Sequence, residues 1–216
     1  LSLQLGEGGP LQGRRLTPIK YASALKELRR RDEALAAVID RFGDPPIWER
    51  EPGFATLVHI ILEQQVSLAS AKAAFDRLCR TVSPLTPASL LTLDDQAMKV
   101  VGFSRQKARY ARRLSQAILD GILDLEGLET LDDQIVRAAL LQVDGVGPWT
   151  ADIYMLMAML RPDIWPAGDL ALATALGRLK RLNGRPDVAL MHEMAESWRP
   201  WRAVAARVLW HYYLSW

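Results

Sequence analysis

The segment Asp144-Gly145-Val146-Gly147-Pro148-Trp149 packs two glycines, a proline and a tryptophan into one short turn between apolar, helix-periodic stretches. Glycines one residue apart leave backbone N–H groups uncovered by side chains. Proline suits the first turn of the helix that follows, where its missing N–H costs nothing. A helix N-terminus offers unpaired donors and the positive end of its dipole, so the turn can accept a phosphate. Gly145, Val146, Gly147 and Thr150 would then grip a nucleic-acid backbone without reading its sequence. The carbonyls of Leu141, Val143 and Val146, aimed away from the anion, suit a monovalent cation, Na+ or K+. An ordinary tight turn between two helices also needs glycine. The apolar helices on both sides and Pro148 at the first helical position favour the clamp.

A second chemical residue stands in "WPAGDLALATAL", where Asp169 follows Gly168 and opens an apolar helix. There it can cap the helix, with the dipole favouring its ionised form. It can equally face a positive charge that develops on a substrate, and the local sequence does not separate the two roles. "EQQVS" at 63–67 interrupts an apolar pattern with two polar residues, Gln64 and Gln65. From Lys99 to Arg113 there are six basic residues and no acidic one, and Arg105, Lys107 and Arg109 among them are candidate phosphate contacts.

Charge is otherwise almost balanced, with 27 Lys+Arg against 25 Asp+Glu, so its sorting into basic and acidic stretches carries the information. The single cysteine, Cys79, excludes an internal disulfide, a cysteine-only zinc site and a four-cysteine iron–sulfur cluster. It reads as a buried small apolar residue. His59, His192 and His211 share no metal-ligand spacing, and no apolar run is long enough to span a membrane. The N-terminus lacks a signal pattern, which leaves a cytoplasmic location, or a nuclear one in a eukaryote.

These residues must be positioned by helices. Residues 1–18 read as a loose, glycine-rich lead-in that could hide a strand. After them the periodicity is helical: 21–41, 53–63, a helix capped by Ser67, short helices near 87–92 and 92–101, and one capped by Ser104. Asp132 or Asp133 caps the helix leading into the hairpin, and 149–160 leaves it. A helix after Asp169 and two more near 187–196 and 200–213 complete an all-α class. Met155, Met157 and Met159 read as core.

The hairpin, the downstream aspartate, "GVGPWTAD", "EQQVSLASAKAAFDRL" and "ESWRPWRAVAARVLWHYYLSW" together resemble the helix-hairpin-helix (HhH-GPD) DNA glycosylases over residues 20–216. They are most similar to the alkylbase branch of the 3-methyladenine DNA glycosylase II type, in compact form. The resemblance implies two helical domains, a central one over 53–160 and a second combining 19–52 with 161–216, with the active site in the cleft between them. It implies base flipping and hydrolysis of the N-glycosidic bond of alkylated bases such as 3-methyladenine and 7-methylguanine in duplex DNA. Asp169 would stabilise the positive charge on the sugar, with no cofactor required. Trp149 stands where bifunctional relatives carry a Schiff-base lysine, which implies a monofunctional enzyme leaving an abasic site. Trp149 and Trp210 would line the base pocket with Ile153, which replaces a tyrosine frequent in the branch, while Trp198 and Trp201 look structural. Gln65, with Gln64 beside it, matches the wedge that fills the vacated stack, though such wedges are often apolar. One hairpin and one carboxylate are complete within a monomer. A glycosylase for another lesion, a non-catalytic DNA-binding protein and a helical protein–protein module remain the alternatives.

Overall fold

The computed structural model describes residues 15–216, and every regular element among them is a helix. The strand that the lead-in could hide lies at residues 1–14, outside the described residues. Contacts divide the chain into two units. One runs up to Trp48 and resumes at Met159–Trp216, and the other is Glu49–Ala158.

The first unit opens with α1 (Pro18–Arg31) and α2 (Glu33–Phe42). The sequence pattern suggests a single helix over 21–41, and the structure corrects this with a break at Asp32. Asp32 adopts extended geometry (φ −137°) and its carboxylate caps the N–H groups of Ala34 and Leu35. The same carboxylate accepts from Lys180 Nζ at 2.8 Å and from Trp198 Nε1 at 2.9 Å. Helical periodicity continues across the break, but a buried carboxylate with these partners wins over one more helical turn.

The second unit is built on α3 (Phe54–Glu63), in which Leu57, Val58, Ile60 and Ile61 are wholly buried. A helix this apolar all round belongs at the centre of a core. Around it lie α4 (Leu68–Thr81), α5 (Pro87–Leu91), α6 (Asp95–Val101), α7 (Arg105–Leu119), α8 (Asp133–Leu141) and α9 (Pro148–Met157). Helices α4, α7 and α9 pack directly on α3, and α8 packs on α9. Ser67 and Ser104 each cap their helix by accepting a backbone N–H, whereas Asp132 sits at the start of α8 without a side-chain cap bond. Cys79 is half-buried rather than buried, and burial pushes its thiol pKa up.

The first unit then resumes with α10 (Leu170–Leu179), α11 (Val188–Ala195) and α12 (Arg202–Leu214). Helix α12 is its core element, with Ala203 to Leu209 fully buried and α1, α2 and α10 packed around it. Its one buried charge, Arg207, donates to the carbonyls of Ile47 and Ala203. Trp198 and Trp201 act structurally: the indole of Trp198 reaches Asp32 and that of Trp201 reaches Glu27. No helix among the described residues is long and apolar enough to cross a membrane.

Candidate active site

In the second unit α8 ends at Leu141 and α9 begins at Pro148, with the glycine turn between them. The N–H of Val146 bonds the Val143 carbonyl at 3.0 Å, closing the turn. Gly145 and Gly147 differ in what they require. Gly145 has φ +95°, and a Cβ there would meet the Tyr110 ring at 2.2 Å. Both conformation and contact therefore demand glycine. Gly147 has φ −79°, and a Cβ there would meet nothing within 4 Å. The protein itself makes no demand at Gly147, whose bare backbone faces open space. Helix α9 starts with no side-chain cap bond, so its N-terminus keeps the donor character that attracts an anion.

The loop after α3 is tied to this turn. Gln64 Nε2 donates to the Gly145 carbonyl at 3.0 Å and to Thr150 Oγ1 at 2.9 Å. Gln65, next in the chain, is exposed and has φ +58°, a left-handed conformation unusual for its type. The two glutamines thus separate: Gln64 is committed to the hairpin, and Gln65 stands at the loop's surface. Thr150, expected at the phosphate-facing hairpin, has its hydroxyl buried against Gln64. Tyr110, under Gly145, and the Gln64 tie across 81 residues escape the sequence reading, because neither leaves a local pattern.

Of the expected phosphate contacts, Arg105 and Arg109 are exposed, and Arg109 lies 3.6 Å from Asp144 at the turn. Lys107 is placed differently. Its ammonium is half-buried and donates to the Leu62 carbonyl at 2.7 Å, near the end of α3. Desolvation lowers its pKa, and its bond to Leu62 ties it to the chain just before Gln64 and Gln65.

The first unit supplies Asp169 at the N-cap of α10, half-buried, with Oδ1 accepting the Leu172 N–H at 2.9 Å. The same oxygen accepts the indole N–H of Trp210 at 3.2 Å. An aspartate serving only as a cap needs no second side-chain donor, so this geometry fixes the carboxylate's direction as well as the helix start. Leu170, beside it, is 68% exposed. Trp149 is half-buried in the second unit, whereas Ile153 lies in that unit's core at 2% exposure. Met155 and Met159 are buried and Met157 is half-buried. Among the described residues no group of three or more His, Cys, Asp or Glu side chains converges as a metal site.

A glycine hairpin opening onto a helix N-terminus, among described residues whose regular elements are all helices, defines a helix-hairpin-helix protein. The chain belongs to the HhH-GPD superfamily of base excision DNA repair proteins, whose family model matches residues 58–200. It is similar to YfjP of Bacillus subtilis, with 25% identity over 82% of this chain, and spans 64% of that protein's length. It is 27% identical to DNA-3-methyladenine glycosylase 1 of Schizosaccharomyces pombe, over 75% of this chain and 73% of that one. Among solved structures it is similar to the Schizosaccharomyces pombe 3-methyladenine DNA glycosylase Mag1 in complex with abasic DNA. That likeness has a TM-score of 0.82 and 26% identity, covering 87% of this chain and 95% of the other.

Proposed function

We propose that the protein is a monofunctional DNA glycosylase that hydrolyses the N-glycosidic bond of alkylated purines in duplex DNA. The observation that carries this reading is the Asp169 carboxylate, half-buried at a helix N-cap and oriented by the Trp210 indole. An alkylated purine is cationic, so the electrons of the C1′–N bond leave with the base, which departs neutral. Positive charge then develops on the sugar, where a fixed carboxylate stabilises it. Water adds at C1′ and loses a proton, leaving an abasic site. Trp149 at the hairpin provides no amine for a Schiff base, so the strand stays intact. Aromatic faces such as those of Trp149 and Trp210 suit a cationic base, whereas Ile153, expected at the base pocket, lies in the core of its own unit and packs there.

The hairpin from Gly145 to Gly147, with the N-terminus of α9, holds a phosphate, and Arg105 and Arg109 hold others. Gln65 is the wedge, and Gln64 anchors its loop. The carbonyls of Leu141, Val143 and Val146 would hold a monovalent cation. The Val143 carbonyl already accepts one N–H, which leaves a second lone pair for an ion. Such an ion would supply positive charge beside the bound phosphate.

Support comes from the family and from the names of the relatives. The test is mass-resolved release of bases from methylated duplex DNA. Free 3-methyladenine or 7-methylguanine with an uncut abasic strand supports the reading. DNA binding without release of any alkylated base moves the assignment to another lesion or to a non-catalytic role.

A further inference from the structure

We propose that a basic groove along α7, in the second unit, is a second phosphodiester site that extends the hairpin's hold on DNA. The groove has a volume of about 870 Å³ and is lined by residues of α6 and α7, with Leu91 of α5. Its cations are Lys99, Arg105, Arg109, Arg112 and Arg113, against one lining carboxylate, Asp95. Met98 and Phe103, both buried, form part of an apolar floor.

Two of the five cations, Arg109 and Arg112, lie against carboxylates. Arg112 is taken by Asp95 at 2.6 Å and by the Leu93 carbonyl at 3.0 Å. Arg109 shares Asp144 at 3.6 Å, with both side chains more than half exposed. Lys99, Arg105 and Arg113 have no ion-pair partner among the described residues, and all three are exposed. Several like charges beside one groove repel, and a bound polyanion relieves that repulsion. Arg105, Arg109 and Arg113 follow at four-residue steps on one face of α7. The line is about 12 Å long, the axial rise of three to four phosphates of one duplex strand. Guanidinium forks match phosphate oxygens in a way that fits a backbone rather than base edges.

Continuity with the hairpin selects the occupant. Arg109 lies at the groove and at Asp144 of the turn, and its neighbour Tyr110 packs under Gly145. A strand gripped at the glycine turn therefore has its next cations on α7. The inference rests on the DNA-acting reading above, but not on Asp169.

The test uses Lys99→Gln/Arg113→Gln and reads binding to undamaged duplex DNA by fluorescence anisotropy over a salt series. Losing two phosphate contacts lowers the slope of log K against log salt by about 1.8, so the wild-type advantage shrinks about tenfold between 50 and 200 mM salt. An unchanged slope overturns the proposal, and so does an affinity loss that is constant at every salt concentration. A parallel arm uses inorganic pyrophosphate. Pyrophosphate competing at the wild-type groove while the DNA slope is unchanged assigns the site to a small anion and also overturns it. No base release enters the readout. Failure of wild type to release any alkylated base would strike the glycosylase reading and leave the groove result standing.

Discussion

The indole N–H of Trp210 and the backbone N–H of Leu172 converge on one oxygen of Asp169, at 3.2 and 2.9 Å. Trp210 comes from α12, the core helix of its unit, so the carboxylate's direction is set by an element that has little freedom to move. Asp169 is thus both helix cap and aimed acceptor. Trp210→Phe keeps an aromatic face and removes the donor. A hydrogen bond to a charged group is worth about 1.5–3 kcal/mol, so single-turnover base release is expected to slow by roughly ten- to a hundredfold. The buried indole also fills core volume, so the melting temperature should fall, and the rates are compared at a temperature where both proteins are folded. An unchanged rate would mean that the indole only packs.

The two hairpin glycines should separate in their effects. Gly145→Ala puts a Cβ into the Tyr110 ring at a positive φ, so it should unfold at lower temperature and bind DNA poorly. Gly147→Ala meets no protein atom and has an ordinary φ, so its melting temperature should stay near wild type while DNA affinity falls. Melting curves alongside anisotropy titrations make the comparison. Equal melting losses in both would show that the clamp argument misreads Gly147.

Gln64 joins the loop carrying Gln65 to the hairpin through Gly145 and Thr150. Gln64→Ala should weaken insertion at the lesion more than binding to undamaged DNA, by about 1 kcal/mol for each bond lost. A 2-aminopurine placed opposite or beside the lesion reports the flipped state directly. A double-mutant cycle with Thr150→Val should show coupling between the two sites. Additive effects would remove the link.

The acid stability of the first unit should depend on Asp32. Burial alone would raise its pKa. The bonds from Lys180, Trp198 and the Leu35 N–H outweigh burial and lower it on balance. A carboxylate with a depressed folded pKa stabilises fully above the ordinary carboxylate range. It loses that contribution as pH falls from about 4 through the folded value. Asp32→Asn should therefore melt at lower temperature at neutral pH, with the gap from wild type closing in acid. Chemical denaturation at several pH values checks this, and a gap that is independent of pH would contradict it.

Local chemistry explains what the sequence discloses and what it hides. Apolar spacing marks α3, because a helix that is apolar nearly all round has few alternatives to the core. Ser67, Ser104 and Asp169 disclose helix starts, because a cap acts on N–H groups two or three residues away. The break at Asp32 is hidden, since its partners Lys180 and Trp198 are supplied from 148 and 166 residues away. For the same reason Lys107 reads as a surface cation, although the Leu62 carbonyl takes it inward. The two hairpin glycines look alike in the sequence. Only the packing of Tyr110 distinguishes the one the fold needs from the one it does not.

The central claim is that Asp169 carries the chemistry, and single-turnover base release from methylated duplex DNA by wild type and Asp169→Asn tests it most directly. Asparagine keeps the cap and the shape but removes the charge. The account predicts that wild type liberates alkylated base, and that the variant binds the same DNA with a rate lower by about a hundredfold or more. Equal rates in the two proteins would reduce Asp169 to a helix cap and contradict the mechanism.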